Sequence, residues 1–292
     1  MSAVWERGVV ANPKKHYRSG QKKNWRGWTS NRALEQLAVK PADALVLYLV
    51  GPEDHDREKL LAKGFRNENL IAVDLIEDHV QRVRDAGGFG ICADLAALLL
   101  AWPASWPIDY VIADFCSGIE DPTLSFVEAL AWGPAISVSH ERRTVVAINL
   151  QRGRENSAAG KSLMANVATC LRGVGVGISQ KNRAAHFISI AVMRVCAQLE
   201  DVAKECGWEL DTHALASEYV RSIGTFPTYT YANDAQNVLF DSAVFTWPAS
   251  VASFMAESPR LVLSKAFRAE RSVVRDRIAA LRAVRTMKLR AS

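Results

Sequence analysis

ALVLYLVGPEDHDREKLLAKGFRNENLIAVDL, residues 44–75, is the stretch that decides the fold. It begins with a short apolar run, continues with a charged segment and ends with a second apolar run. Short apolar runs bounded by turn residues are typical of buried strands, and a helical segment between two of them is typical of a parallel crossover. The stretch therefore predicts a strand, a helix and a second strand of one parallel sheet.

The same alternation continues as far as residue 151. Further strands are predicted at GICADL, at DYVIADF and at 143–151, separated by the helical segments EDHVQRVRDAG, LAALLLAW and 122–132. After a long predicted helix at 184–206, two β-branched and aromatic runs at 225–233 and 237–247 indicate a hairpin. We therefore predict an α/β fold with a doubly wound, mostly parallel sheet that ends in an antiparallel hairpin.

The two ends of the chain differ from this middle in composition. Residues 1–40 mix basic and aromatic residues with glycines and show no apolar period, so we predict a polar arm there. Residues 259–292 are predicted to form a basic helix, because ten basic residues from Arg260 to Arg290 accompany only Glu270 and Asp276. Residues 41–258 are the predicted α/β domain.

Bulk composition limits the class of protein. The chain has 292 residues, of which 49% are hydrophobic, and this is enough for a sizeable core. The five cysteines include no C-x-x-C pair, so neither a zinc knuckle nor a disulfide framework is predicted. Without a signal-like or membrane-spanning apolar run, we expect a soluble, cytoplasmic protein with no membrane partner. The net charge of +5 favours a polyanionic partner.

The N-terminal arm carries the residues that favour nucleic acid as this partner. Cations next to aromatic rings suit phosphate contacts combined with base stacking. The predicted contacts are Lys14, Lys15, Tyr17, Arg18, Lys22, Lys23, Trp25, Arg26 and Trp28. The alternative is a solvated arm without a partner, and for the basic C-terminal helix a solvated face is as well supported as nucleic-acid contact.

Candidate ligand-binding residues follow the strands, because ligands of open α/β sheets lie over the carboxyl ends of the strands. Gly51 follows the first strand, where a residue without a side chain allows close backbone approach. Asp74 ends the second strand, about 20 residues further on, where a carboxylate can accept both hydroxyls of a ribose. The alternative for Asp74, and equally for Asp94 after the third strand, is a helix cap.

The fourth strand ends in a run with several chemically useful side chains. Asp114 could orient or deprotonate an acceptor, Phe115 could stack on a base, and Cys116 could act as a nucleophile. The alternative for Cys116 is a small buried apolar residue. We predict that these three residues carry the reaction.

These segments resemble the cofactor-binding half of class I S-adenosylmethionine-dependent methyltransferases, particularly those of phages and mobile elements. The resemblance covers residues 44–150 through VGPEDHDREKLLAKGF, NLIAVDLIEDHVQRVRDAG, GICADL and IDYVIADFCSG, and extends loosely to the hairpin. It implies S-adenosylmethionine as the cofactor and Asp114 at the opening of the acceptor site. The implied cofactor contacts are Gly51, Pro52 and Glu53 at the methionine end, Asp74 and Leu75 at the ribose, and Asp94 and Leu95 at the adenine.

The sequence departs from the family pattern in two respects. The usual glycine-rich turn is reduced to Gly51, and neither an N-P-P-Y-like run nor a Pro-Cys pair marks a particular base as acceptor. We predict methyl transfer to a nucleic acid, by direct in-line transfer and without a metal. The alternative is a non-catalytic nucleic-acid-binding or assembly protein on a degenerate methyltransferase fold. The acceptor atom, the choice between DNA and RNA, and the oligomeric state stay open.

Overall fold

A computed structural model describes residues 20–115, 117–118, 121–133, 135–136, 143–151, 227–233, 238–246 and 277. Its strands are β1 (Val46–Leu49), β2 (Leu70–Asp74), β3 (Phe89–Cys92), β4 (Tyr110–Asp114), β5 (Val145–Gln151), β6 (Thr228–Asn233) and β7 (Val238–Thr246). Its helices are α1 (Gly20–Gln36), α2 (His55–Ala62), α3 (Glu77–Asp85), α4 (Leu95–Ala101) and α5 (Asp121–Trp132).

The seven strands form one sheet in the order β3-β2-β1-β4-β5-β7-β6. The first five strands of this order are parallel, and β7 runs antiparallel between β5 and β6. The order of the parallel strands reverses at β1, which pairs with β2 on one side and with β4 on the other. The predicted doubly wound, mostly parallel sheet with an antiparallel end is confirmed.

The parallel strands are buried on both faces, as expected for a sheet that helices cover on both sides. All seven residues of β5 are buried, and so are the first three of β1. Helix α3 packs directly on β3, because a Cβ atom at Gly90 would lie only 2.7 Å from Cγ1 of Val80. Helix α3 begins at Glu77, three residues after β2 ends, so Asp74 lies beside the start of this helix.

The predicted polar arm is wrong for residues 20–36, because these residues form helix α1 and pack against the core. Its buried inner face comprises two rows at helical spacing, Trp25, Thr29 and Ala33 together with Lys22, Arg26 and Ser30. Only two of these six side chains are apolar, so hydropathy did not reveal the period. The helix contacts β5, β6, β7 and α2.

Several predictions fall on residues 1–19 or on other segments outside the described residues. These are the helix at 184–206, residues 234–237 between the two hairpin strands, and the basic C-terminal helix apart from Arg277. Within the described ranges, no helix has the length and apolar character needed to cross a membrane.

Candidate functional site

The carboxyl ends of the parallel strands bring the predicted site residues to one edge of the sheet. β1 leads into the turn 50–54, β2 ends at Asp74 and β4 ends at Asp114. Because β1 lies between β2 and β4, these segments meet where the strand order reverses. We call the ends of β1, β2 and β3 the β1–β3 side of the site, and the ends of β4 and β5 the β4–β5 side.

The turn after β1 is held by side chains of two helices. Arg82 of α3 donates to the carbonyl oxygen of Pro52 at 2.9 Å, and Nε2 of His55 lies 2.7 Å from Oε2 of Glu53. The residues that follow Gly51 all carry side chains, so close backbone approach by a ligand is concentrated at this glycine. The predicted contacts Gly51, Pro52 and Glu53 therefore lie together in one fixed turn.

Asp54, which the sequence analysis did not single out, is a partly buried carboxylate in the same turn. Its Oδ1 accepts a hydrogen bond from the Tyr48 hydroxyl at 2.9 Å, and its Oδ2 has no hydrogen-bond partner among the described residues. Burial raises the pKa of Asp54, although the Tyr48 hydrogen bond opposes this. A buried carboxylate oxygen without a partner can accept a donor group from a ligand.

Asp74 is held at the end of β2 by partners close in sequence. Its Oδ1 accepts from the Ile76 backbone N–H at 2.9 Å, and its Oδ2 lies 2.8 Å from Nδ1 of His79. The capping alternative is wrong, since Ile76 occupies the N-cap position of α3 and the cap has no side-chain hydrogen bond. The neighbouring apolar side chains of Leu75 and Ile76 are 52% and 51% exposed. This edge thus combines a fixed carboxylate with an open apolar surface.

Asp94 is the N-cap of α4, so the capping alternative is confirmed for this residue. Its Oδ1 accepts from the backbone N–H of Ala97 at 2.9 Å. The following Leu95 is buried in the core with the rest of α4. The structure therefore gives both residues a role in the fold, and their contact with adenine stays a prediction.

Asp114 lies almost fully enclosed on the β4–β5 side, with a side chain 7% exposed. Its Oδ2 forms an ion pair with Nζ of Lys22, and its Oδ1 accepts from Nδ2 of Asn149 at 2.7 Å. Burial alone would raise the pKa of Asp114, but the Lys22 ammonium and the Asn149 amide hold it below its usual value. Asp114 is therefore a charged carboxylate whose two oxygens are both engaged.

A polar chain continues from Asp114 into the neighbouring strands. The Asn149 amide also donates toward the Tyr231 hydroxyl at 3.0 Å, and the Ser242 hydroxyl donates to Asn149 Oδ1. Asn149 is fully buried in the middle of β5. Sequence analysis missed this residue, although an asparagine inside the apolar run VVAINLQ is a signal, because a buried amide needs partners.

Phe115 and Cys116, the other two residues predicted to carry the reaction, follow the end of β4 in the sequence. Phe115 is partly buried and packs edge-to-face on Phe126 of α5, with ring centroids 5.4 Å apart. Its backbone N–H donates to the carbonyl oxygen of Asn149 at 3.0 Å. Cys116 lies outside the described residues. The structure thus places Phe115 beside Asp114, with its ring directed to the helix that follows.

The predicted nucleic-acid contacts divide into three groups. Lys14, Lys15, Tyr17 and Arg18 lie outside the described residues. Lys22, Trp25 and Arg26 are buried by the chain itself, with 5%, 1% and 4% exposure. Lys23 is exposed, and the partly buried Trp28 packs on Tyr229 with ring centroids 5.2 Å apart. Residues 20–36 therefore do not form an open arm that presents all five of their predicted contacts to a nucleic acid.

Among the described residues, no group of three histidine, cysteine, aspartate or glutamate side chains is placed to hold a metal ion. Cys92, at the end of β3, is a free thiol whose Sγ lies 3.4 Å from the carbonyl oxygen of Leu75. Burial raises the pKa of this thiol, and neighbouring Glu77 acts in the same direction. Cys92 is therefore not an activated nucleophile.

Three solved structures are similar in overall fold. The N-methyltransferase NodS from Bradyrhizobium japonicum WM9 has 11% identity and a TM-score of 0.41, over 80% of this chain and 99% of NodS. The plantazolicin methyltransferase BpumL in complex with SAH has 11% identity and a TM-score of 0.37, over 80% and 88%. The cyclopropane synthase MmaA2 from Mycobacterium tuberculosis has 9% identity and a TM-score of 0.36, over 79% and 88%. No protein-family model and no curated protein matches the sequence.

The strand order of the sheet itself defines the class of fold. Five parallel strands in the order β3-β2-β1-β4-β5, followed by an antiparallel β7 between β5 and β6, form the sheet of class I methyltransferases. The resemblance stated from the sequence is thus confirmed for the fold.

Proposed function

We propose that the chain binds S-adenosylmethionine on the β1–β3 side and transfers its methyl group to an acceptor on the β4–β5 side. The observation behind this proposal is Asp74, a fixed carboxylate at the end of β2 beside the exposed Leu75 and Ile76. A nucleoside needs such a combination, because its ribose hydroxyls donate to a carboxylate and its flat base is covered by apolar side chains.

The residues of the β1–β3 side fit the other groups of this cofactor. Each oxygen of Asp74 has a further lone pair beside the one used by Ile76 or His79. The unpartnered Oδ2 of Asp54 suits the ammonium group of a methionine moiety, and Gly51 allows close backbone approach. S-adenosylmethionine supplies an electrophilic methyl group on a positively charged sulfur.

The residues of the β4–β5 side would orient the acceptor. With a lowered pKa, Asp114 stays ionised and accepts hydrogen bonds, so it suits the positioning of a donor group better than the removal of a proton. The Asn149 amide, which donates to Oδ1 at 2.7 Å, fixes the orientation of this carboxylate. The proposed catalysis therefore comes from positioning and partial desolvation.

We propose a nucleic acid as the acceptor on the grounds of charge. The chain carries a net charge of +5, and ten basic residues fall between Arg260 and Arg290. Since Lys22 and Arg26 are paired with carboxylates inside the fold, the proposed phosphate contacts are the other predicted cations. Retention of RNA and DNA on a filter at rising salt tests this point, because phosphate contacts predict an affinity that falls steeply with salt concentration.

A second candidate is a nucleic-acid-binding or assembly protein that does not transfer methyl groups. The engagement of both Asp114 oxygens favours it, together with the single glycine of the turn after β1. The two candidates differ in cofactor binding, so the decisive experiment measures that property first.

Calorimetric titration with S-adenosylmethionine and S-adenosylhomocysteine tests the proposal. We expect micromolar binding by the wild type and a loss of about ten- to hundredfold in affinity for Asp74→Ala, since hydrogen bonds to a charged group are removed. Asp78→Ala is the matched control, because Asp78 is exposed on the next helix and its removal changes the charge equally. Absence of binding at millimolar ligand, or equal loss in both variants, would contradict cofactor binding at Asp74.

A further inference from the structure

One face of α1 contacts both sides of the candidate site. Lys22 pairs with Asp114 at the end of β4. One turn further along, Nε of Arg26 lies 3.2 Å from Oδ1 of Asp56, which belongs to the first turn of α2. The two basic side chains thus connect this helix to the acceptor side of the site and to the helix that follows the Gly51 turn.

The Lys22 ammonium occupies the space in front of Asp114. It lies 4.8 Å from the ring centroid of Trp25 and 5.8 Å from that of Phe240, and the Phe240 ring stacks on Tyr231 at 5.0 Å. Aromatic faces and a carboxylate together stabilise a cation. With Lys22 and Asp114 both 7% exposed, very little of the Asp114 carboxylate is open to another molecule while α1 is in place.

The interface under α1 combines core packing by Trp25 and Ala33 with one incompletely filled region. A small cavity lies between the helix, α2 and the sheet, and Arg26, Thr29, Asp56 and Tyr110 line it. Among the described residues, neither the Tyr110 hydroxyl nor Nε1 of Trp25 has a hydrogen-bond partner, although both atoms are buried. Trp25 and Ala33 anchor the helix in the core, but the two ion pairs, the unsatisfied polar atoms and the cavity weaken this attachment relative to that of the strands.

We propose that α1 is a movable cover over the acceptor position, held shut by Lys22 on Asp114, and that an acceptor reaches Asp114 only when this helix leaves the sheet. The inference rests on the proposed function, because it takes the end of β4 as the place where methyl transfer occurs. It adds a conformational step that must precede the reaction. The sheet itself does not need to change for this step.

Native-state hydrogen exchange on the full chain tests whether α1 opens by itself. We expect the amides of residues 25–36 to exchange at least about hundredfold faster than those of β1 and β4, because they would open without global unfolding. Equal rates in the helix and in the strands would overturn the proposal. This measurement needs no variant, so it decides the question even where a substitution prevents folding.

Carboxylate labelling with a carbodiimide and glycinamide tests whether that opening exposes Asp114. Lys22→Ala should raise the labelling rate of Asp114 about tenfold, since the closed state loses its ion pair. Lys22→Arg, which retains the charge, and Lys23→Ala, which removes an exposed charge from the same turn, should leave the rate near that of the wild type. Equal rates in Lys22→Ala and Lys23→Ala would show that Lys22 does not close the site.

The calorimetric titration separates failure of this inference from failure of the proposed function. Cofactor binding together with equal exchange in α1 and β4 would overturn the cover and leave methyl transfer standing. Independent opening of α1 in a protein that binds no S-adenosylmethionine would overturn the acceptor role of the covered position.

Discussion

The two sides of the candidate site hold their carboxylates in different ways. On the β1–β3 side, Asp74 and Asp94 bind groups two to five residues away, and the apolar side chains beside Asp74 are open. On the β4–β5 side, Asp114 binds Lys22, 92 residues away, and Asn149, 35 residues away, in an enclosed network. The two carboxylates of the first side are therefore held by local structure, whereas that of the second is held only when distant parts of the chain have assembled.

The largest effect predicted from this difference is the loss of stability in Asp114→Ala. The substitution leaves the Lys22 ammonium buried without its partner, and breaking a buried pair in this way costs about 3–5 kcal/mol. Urea denaturation at neutral pH measures the free energy of unfolding. The expected result is a large drop in the denaturation midpoint with little change in the slope.

The double variant Lys22→Ala/Asp114→Ala sharpens this test. It removes both charges, so it should be more stable than Asp114→Ala alone, and the difference reports the cost of the unpaired ammonium. If the single variant is as stable as the wild type, the pair does not hold the β4–β5 side together, and the contrast between the two sides fails.

A smaller effect is predicted on the β1–β3 side, for Asp94→Ala. The substitution removes the hydrogen bond from Asp94 to the Ala97 backbone N–H at the start of α4. Loss of such a cap costs about 1 kcal/mol. Asp94→Asn is the control, because an asparagine oxygen can make the same bond. Equal stability of the alanine and asparagine variants, measured in urea, would show that the cap does not matter here.

The same difference explains which residues sequence analysis could find. Asp74 ends β2, Asp94 comes two residues after β3, and both have near neighbours as partners, so their positions at the ends of predicted strands are sufficient to select them. The sheet was equally predictable, since its strands are short apolar runs separated by turns.

The polar network on the other side follows from no local pattern. The position of Asp114 at the end of β4 is enough to select it, but its pairing with Lys22 depends on α1, where the sequence predicts a polar arm. Helical spacing in α1 becomes visible only when Lys22 and Arg26 are counted as inward-facing, and an isolated hydropathy pattern assigns such residues to solvent. Asn149 shows its role only through Tyr231 and Ser242, both of which belong to the distant hairpin.

The smallest predicted effect is a change in the pH dependence of stability, and it concerns the two carboxylates that α1 contacts. Burial raises the pKa of Asp56, although the Arg26 guanidinium opposes this, whereas the pKa of Asp114 is lowered. Folding therefore favours the protonated form of Asp56 and the ionised form of Asp114. As the pH falls, protonation of Asp56 stabilises the folded state, because its pKa is higher there than in the unfolded chain. Protonation of Asp114 destabilises the folded state, and it takes place at lower pH because the pKa of Asp114 is lowered by folding.

The variant Asp56→Asn isolates the first of these contributions. The asparagine side chain cannot take up a proton. The free energy of unfolding of the wild type should therefore increase relative to that of the variant as the pH is lowered from about 7 to about 4. Effects of the substitution that do not depend on protonation shift the variant by a constant amount, so the slope of the difference with pH is the quantity to measure, and it reports the net pKa shift of Asp56, including the opposing effect of Arg26. Urea denaturation at successive pH values provides it. A flat difference would mean that Asp56 is as easily ionised in the folded chain as in the unfolded one, and that the contact between α1 and α2 is a solvated surface pair rather than part of an enclosed site.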